Sequence, residues 1–500
     1  MTTSRAPTDL PTGTPTDALV APLDVRSRRG RLLVFAMVLG SSATFFNATV
    51  VNVALPAIGD DFGVGVSSLQ WIATGYMVTL AALILIGGSL GDVLGRRRIF
   101  VVSSVVLTVA SIVCALAPTL PVLVIGRLLQ GVAAAGVTPI SLAIVNSSFP
   151  EDQRGRAVAA WSGGSAVASA IGPFAGGVLV DHGGWRWVFA LSVPMTVVSV
   201  IAVLRAIPRS TIPRSTIPSG AIPSGTTEAN ARRFDVVGAV LSALAIGAPA
   251  LALTRGLANG WSDPVVIGAG IVSTVAIASF VPVELHRTDP MVPMRMFTSM
   301  QFSGTNAVTL LLYAGLSGAF FFTALAFQTV VGFSPTAAGA TLLPANLIMI
   351  AAATTVGKLS GRIGARALVA GGSALVGLSL LMLSTVGASS SYVSGILPAV
   401  IMMGFGLVMF VPPLTSAVLA AVEERDVGIG SAVNNAVART GGLVAVAVLP
   451  GLVNAPSEAS DPLFVDAYRV AMVICAALCA CAAVIAVATI RTAMPPPEPV

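Results

Sequence analysis

Fourteen apolar stretches recur along this chain, each about as long as a lipid bilayer is thick. They fall at 32–56, 69–90, 99–118, 121–145, 157–180, 187–206, 235–254, 264–283, 303–330, 336–356, 366–387, 393–416, 428–453 and 467–490. A helix needs roughly 20 apolar residues to cross the hydrocarbon of a membrane, so each stretch is long enough to span. Hydrophobic residues make up 55% of the chain and charged ones only 10%, with a mean hydropathy of +0.91. A soluble protein averages about 25% charged residues. Most of the exterior must therefore face lipid, and the expected fold class is all-α integral membrane.

An even number of spans puts both termini on one side. With the N-terminus inside, 22 of the 27 Lys and Arg residues fall in cytosolic segments, the bias the positive-inside rule describes. Trp71, Trp185, Trp187 and Trp261 then land at the outer interface, where an indole ring is favoured. The net charge of +6 comes from short basic groups between spans, not from one basic block, so a nucleic-acid partner is not expected. Cys114, Cys475, Cys479 and Cys481 all lie inside apolar stretches, and His182 and His286 are far apart. No metal site or disulfide framework is expected from that spacing, and no nucleophile–base pair suggests an enzyme.

The loops between spans carry the chain's organisation. Gly88-Ser89-Leu90-Gly91-Asp92-Val93-Leu94-Gly95-Arg96-Arg97-Arg98 follows the second span, and Gly357-Lys358-Leu359-Ser360-Gly361-Arg362-Ile363-Gly364-Ala365-Arg366 follows the tenth. Gly88, Leu90, Gly95 and Arg97 recur in register as Gly357, Leu359, Gly364 and Arg366. A duplicated plan of two six-helix halves is common among secondary transporters, and the seventh and eighth spans become an inserted pair. The expected organisation is a disordered cytosolic tail (1–31), an N-terminal half (32–206), a Pro/Ser/Thr-rich linker (207–234), a transmembrane hairpin (235–284), a cytosolic connector (285–302), a C-terminal half (303–490) and a cytosolic tail (491–500). Density of proline in 207–225 argues against helix there.

Within the first loop, the spacing of Gly88, Gly91 and Gly95 predicts one small-residue face that lets another helix approach. Asp92 sits at an inner helix end, where a negative charge opposes the helix dipole. It needs a partner, either Arg96 or the start of the thirteenth span near Gly428. We expect this segment, with Arg96 and Arg97, to act as a conformational latch; its plainer role is a topology anchor. Arg127 lies inside the fourth span, where a charge costs at least about 2.5 kcal/mol, and needs a polar partner such as Gln130 or backbone carbonyls of the first span. Arg439 is its counterpart in the thirteenth span. Gly172-Pro173 should interrupt the fifth span, and Gly176-Gly177 should permit a close helix contact.

Taken together and in order, these segments resemble the fourteen-helix drug:proton antiporter branch of the major facilitator superfamily. The resemblance covers roughly residues 32–490. It rests on the Gly88–Arg98 loop, on Gly126-Arg127-Leu128-Leu129-Gln130-Gly131, on Gly172-Pro173-Phe174-Ala175-Gly176-Gly177, on Asn47-Ala48-Thr49-Val50-Val51-Asn52-Val53-Ala54-Leu55-Pro56 and on Trp185-Arg186-Trp187-Val188-Phe189. It implies a major facilitator fold in the cell membrane and a role for Arg127 in proton coupling. It also ties the helix bearing Gly172, Pro173, Gly176 and Gly177 to export. Two departures stand out. Asn47 occupies the place of the family's usual helix-one aspartate, and Gly361 replaces the loop acid in the second repeat. Every acidic residue lies at a span end or in a loop, so no mid-span carboxylate is present to carry a proton.

Polar residues within spans outline a candidate substrate cavity: Asn47, Asn52, Tyr76, Gln130, Asn306, Tyr313, Gln328, Asn346, Asn434 and Asn435. Uncharged amides and phenols in an apolar setting suit a neutral or amphipathic ligand, although interhelical hydrogen bonding is the plainer role for any one of them. The expected activity is proton-coupled export of a hydrophobic or amphipathic small molecule by alternating access, by a monomer using no cofactor beyond the proton gradient. Its expected partners are the bilayer, the small-molecule substrate and protons. An uncoupled facilitator or importer is the alternative, and a non-transporting membrane sensor a further one.

Overall fold

Lipid offers backbone groups no hydrogen-bond partners, so a spanning segment must satisfy its own, and a helix does so within one segment. The computed structural model describes residues 23–206, 235–287, 290–423, 426–456, 458–459 and 461–491. The expected linker (207–234) and the outer parts of both tails lie outside the described residues, as do the side chains of Asp92, Glu151 and residues 257–259. Sixteen α-helices occur among the described residues. They are α1 (Arg28–Phe62), α2 (Val66–Leu94), α3 (Arg96–Ala115), α4 (Leu120–Ser148), α5 (Glu151–Gly183), α6 (Arg186–Ala190), α7 (Ser192–Ala206), α8 (Val236–Asn259), α9 (Pro264–His286), α10 (Met300–Thr329), α11 (Pro335–Ala340), α12 (Leu343–Ile363), α13 (Ala365–Leu383), α14 (Leu397–Leu419), α15 (Val427–Leu452) and α16 (Phe464–Thr489). With α6–α7 and α11–α12 each forming one broken span, fourteen segments are long and apolar enough to cross a membrane.

The helices sort into two bundles. In the first, α1 packs on α5 and α7, and α4 on α2 and α3; in the second, α10 packs on α15 and α16, and α13 on α14 and α16. The α8–α9 pair stands outside both and lies through α8 against α2 and α15, one helix from each bundle. After α9 the chain turns back through a short 3-10 turn, Met294–Thr298, which buries Val292 and Met296 beneath Phe302 and Val433. Arg295 pairs with Asp426 and so pins this connector to the start of α15.

Three sequence expectations need correction. The N-terminal boundary lies earlier than residue 32. The Ser27 hydroxyl accepts from Gly30 N at 2.9 Å and caps α1, and Leu23 N donates to Ser148 O, so residues 23–31 are ordered against the end of α4. Next, α5 is not interrupted at Gly172-Pro173. The helix runs unbroken from Glu151 to Gly183 with Pro173 inside it, as membrane helices tolerate when neighbours hold the freed backbone groups. Finally, Gly95 does not extend the glycine face of α2. It reverses the chain between α2 and α3 with φ of 95°, a conformation glycine alone adopts without strain. The tight α2–α4 approach instead uses Gly91, where a β-carbon would press on Ile140, and Gly87, where it would strike the backbone of Ala135.

The two bundles meet at the end opposite the chain termini. Gln70 Nε2 donates to Val446 O at 2.9 Å and Ala447 O at 2.6 Å. Gln328 Nε2 donates to Val53 O at 3.0 Å, and Thr336 N to Asp181 Oδ2 at 2.9 Å. At the terminus-bearing end, α5 and α12 are exposed on nearly every side. Gly155, Gly163, Gly357 and Gly361 there have no neighbour within 4 Å of a β-carbon position. The molecule is closed at one end and splayed at the other.

Candidate functional site: a polar cluster and a cavity between the bundles

Two arginines mark the middle of the molecule, and they differ in every respect but type. Arg127 on α4 is wholly buried. Its Nε donates to Ile72 O at 2.9 Å, and its Nη1 to Asn47 O at 3.1 Å and to Gln130 Oε1 at 2.9 Å. The guanidinium lies 4.7 Å from the centre of the Tyr76 ring, within reach of a cation–π attraction. Tyr76 in turn donates its hydroxyl to Thr44 O at 2.9 Å. Gln130 Nε2 donates to Ser111 Oγ at 2.9 Å, and Ser192 Oγ donates to Asn47 Oδ1 at 3.0 Å. Only Asn47 Nδ2 in this group is left without a partner. Asn47, Tyr76, Gln130 and Arg127 thus form one buried knot inside the first bundle, joining α1, α2, α3, α4 and α7. Arg127 thus has both partners expected from the sequence, Gln130 and a backbone carbonyl of α1.

Arg439 on α15 stands between the bundles. It makes no hydrogen bond or ion pair to a described residue, and its Nε is buried without a partner. Its guanidinium lies 5.8 Å from the ring centre of Phe45 on α1. Together these two line a cavity of about 180 Å³ with Tyr313, Thr415, Ser431, Asn434 and Asn435. All but Phe45 come from the second bundle, and Thr415 and Ser431 sit toward the terminus-bearing ends of α14 and α15. Asn434 Nδ2 donates to Thr309 Oγ1 at 2.8 Å and to Asn306 Oδ1 at 3.2 Å, which fixes one wall.

The ten polar residues singled out from sequence therefore divide. Tyr313, Asn434 and Asn435 line the cavity, and Asn306 holds Asn434 in place. Asn47, Tyr76 and Gln130 belong to the arginine knot. Gln328 ties the bundles at the closed end, and Asn346 Nδ2 does so nearer the middle, donating to Ala170 O at 3.1 Å. Asn52 is half-buried and lines neither feature. Phe45, Thr415 and Ser431 were not expected; a cavity wall of one aromatic and two hydroxyls has no signature until the converging helices are known. Of the loop motif, Arg96 Nη1 donates to Ala143 O at 3.1 Å, Arg97 Nε is buried without a partner, and the Asp92 side chain lies outside the described residues.

On α5, Gly172 and Gly176 meet Thr49 and Val50 of α1 within their own bundle. Gly177 faces across to the other: a β-carbon there would strike the backbone of Pro335 and Thr336. Gly339 is its reciprocal, since a β-carbon on it would strike the backbone of Pro173. Gly177 of α5 and Gly339 of α11 thus form a close backbone join between the bundles.

Two six-span bundles around a cavity, closed at one end only, define a membrane transporter of the alternating-closure class. The family model described as Major Facilitator Superfamily matches residues 37–446 and 307–500, and the chain belongs to that family. It is 31% identical over 424 residues to the "Multidrug resistance protein Stp" of Mycobacterium tuberculosis, covering 85% of this chain and 76% of that one. It is 31% identical over 427 residues to the "Methylenomycin A resistance protein" of Streptomyces coelicolor (85% and 86% covered). It is 30% identical over 421 residues to the "Tetracenomycin C resistance and export protein" of Streptomyces glaucescens (83% and 74% covered). Among solved structures, the POT family transporter PepTSo superposes with a TM-score of 0.67 at 14% identity, over 92% of this chain and 97% of that one. A D-xylose–proton symporter gives 0.64 at 13%, over 92% and 98%. These two speak for the fold alone.

Proposed function

We propose that the protein exports amphipathic small molecules across the cell membrane in exchange for protons moving inward, as a monomer with both termini in the cytoplasm. The observation that carries this reading is the cavity between the bundles, which is polar at Tyr313, Asn434 and Asn435, aromatic at Phe45, and sealed only at the end away from the termini. The positive-inside bias puts the splayed end in the cytoplasm, where an exporter loads. The names of the relatives, resistance and export proteins, support the direction. Closure at the cytoplasmic end with release of the Gly177–Pro335 join would then expose the cavity outside. The Gly88–Arg98 loop is the proposed latch for that movement, and Arg127 the proposed link to the proton.

The test is substrate-driven proton movement in proteoliposomes, using a panel of fluorescent amphipathic dyes and comparing wild type with Asn47→Asp and Arg127→Ala. Dye export that acidifies the compartment it leaves, and that collapses when the pH gradient is removed, is the expected result. A dye that is carried down its own gradient without any proton flux sinks antiport and leaves facilitation.

A further inference from the structure

The energetic contrast between the two central arginines points to the ligand. A guanidinium carries five N–H donors and no acceptor, and leaving it bare in a low-dielectric interior is costly. Arg127 meets that cost with two carbonyls, an amide oxygen and the face of Tyr76. Arg439 is half-buried; its Nε is buried without a partner, and the contact its guanidinium makes with a described residue is the Phe45 ring at 5.8 Å. It stands twelve residues into a 26-residue helix, far from either end of α15. The acid nearest along the chain, Asp426, lies at the start of α15 and is paired with Arg295. Among the described residues no carboxylate lines the cavity; its other polar walls are a phenol, two hydroxyls and two amides.

We propose that Arg439 is the recognition point for an anionic group on the transported molecule, so that the substrate class is amphipathic organic anions: an apolar or aromatic body bearing a carboxylate or similar acidic head. This deepens, and rests on, the reading of the cavity as the substrate site. The anion takes the donors that the protein leaves empty and brings the charge that the cavity lacks. Phe45 stacks against the apolar body beside it, while Asn434, held by Thr309 and Asn306, and Tyr313 border the head. The planar fork of arginine suits two-point contact with a carboxylate in a way that lysine does not. Such a site also selects against cations, which meet an uncompensated like charge.

The experiment measures binding to the full chain in nanodiscs by calorimetry, with three matched probes: naphthoate, its neutral amide naphthamide, and the cation naphthylmethylammonium. Wild type should bind naphthoate roughly tenfold or more tighter than naphthamide, the gain expected of a charge-assisted hydrogen bond, and should bind the cation weakest. Arg439→Gln should abolish the preference of naphthoate over naphthamide, and Arg439→Lys should retain part of it. Equal or absent binding of naphthoate and naphthamide by wild type overturns the proposal, as does a preference that survives in Arg439→Gln. The wild-type comparison decides alone if the variant does not fold. Failure of the export reading is separable: an Arg439-dependent anion preference without proton-linked export in proteoliposomes sinks the export reading and leaves this one standing.

Discussion

Gly177 lies so close to the carbonyl of Pro335 that no β-carbon fits between them. The contact crosses from one bundle to the other, and Gly339 repeats it against Pro173 a turn away. Both obstacles are backbone, which cannot rotate aside as a side chain can. Gly177→Ala should therefore disfavour the closed arrangement, by the ~1–3 kcal/mol typical of overpacking, a shift of roughly five- to a hundredfold between states. Cysteine-free protein carrying a single thiol label near residue 328 should report increased water access from that end, with slower transport. Unchanged labelling would remove this glycine pair from the closing surface.

Arg127→Ala leaves Gln130 Oε1 without a donor in a wholly buried knot and strips the helical carbonyls of Ile72 and Asn47 of their second hydrogen bond. The bare amide oxygen alone costs about 1–3 kcal/mol, so the melting temperature should fall measurably by intrinsic fluorescence. Arg127→Lys keeps the charge and loses the fork, and it should melt between the two. If Arg127 couples protons as well, Lys should restore stability further than it restores proton-linked flux; equal recovery of both makes the residue structural only.

Asn47 invites the opposite kind of change. Its Nδ2 has no partner to lose, and its Oδ1 already accepts from Ser192, so a carboxylate at that position keeps the existing bond within the knot that holds Arg127. Asn47→Asp should fold normally and add one ionisation to the pH profile of transport. A profile identical to wild type would show that the first bundle's knot is insulated from the transport cycle.

At the closed end, Arg255 donates to Asp263 Oδ2 at 3.0 Å. That guanidinium, with the backbone N–H of Val265 behind it, holds the Asp263 carboxyl below its ordinary value. A lowered folded value means the stabilisation is complete above the unfolded carboxylate value, near ~3.9, and fades as the pH falls through the folded one. The melting-temperature gap between wild type and Arg255→Gln should be constant from neutral pH down to about 5 and narrow below about 4. A gap independent of pH would assign the effect to packing.

Span number, the duplicated halves and the inserted hairpin were legible because each is written in contiguous residues: apolar length, and a glycine–arginine pattern that occurs twice. The details that escaped depend on what stands opposite. Spacing pointed to Gly88, Gly91 and Gly95, but Gly87 makes the closest approach because Ala135 happens to face it. Pro173 suggested a break that lipid-embedded helices do not require. Gln328 and Asn346 looked like cavity walls because they are amides within spans; they bridge the bundles instead. Arg439 could be read as a charge in a membrane span, while its lack of a hydrogen-bond acceptor among the described residues could be seen only once Phe45, Tyr313 and Asn434 were placed around it.

The position of α8 across α2 and α15 removes the equivalence of the molecule's two flanks. A pair of related bundles has two lateral slits through which a compound dissolved in the bilayer could slip inward, one at α2/α15 and one at α5/α12. Here the first is boarded over by a helix that belongs to neither bundle. The flank beside α5 and α12 carries no such covering helix among the described residues, and it borders the join that Gly177 and Gly339 make.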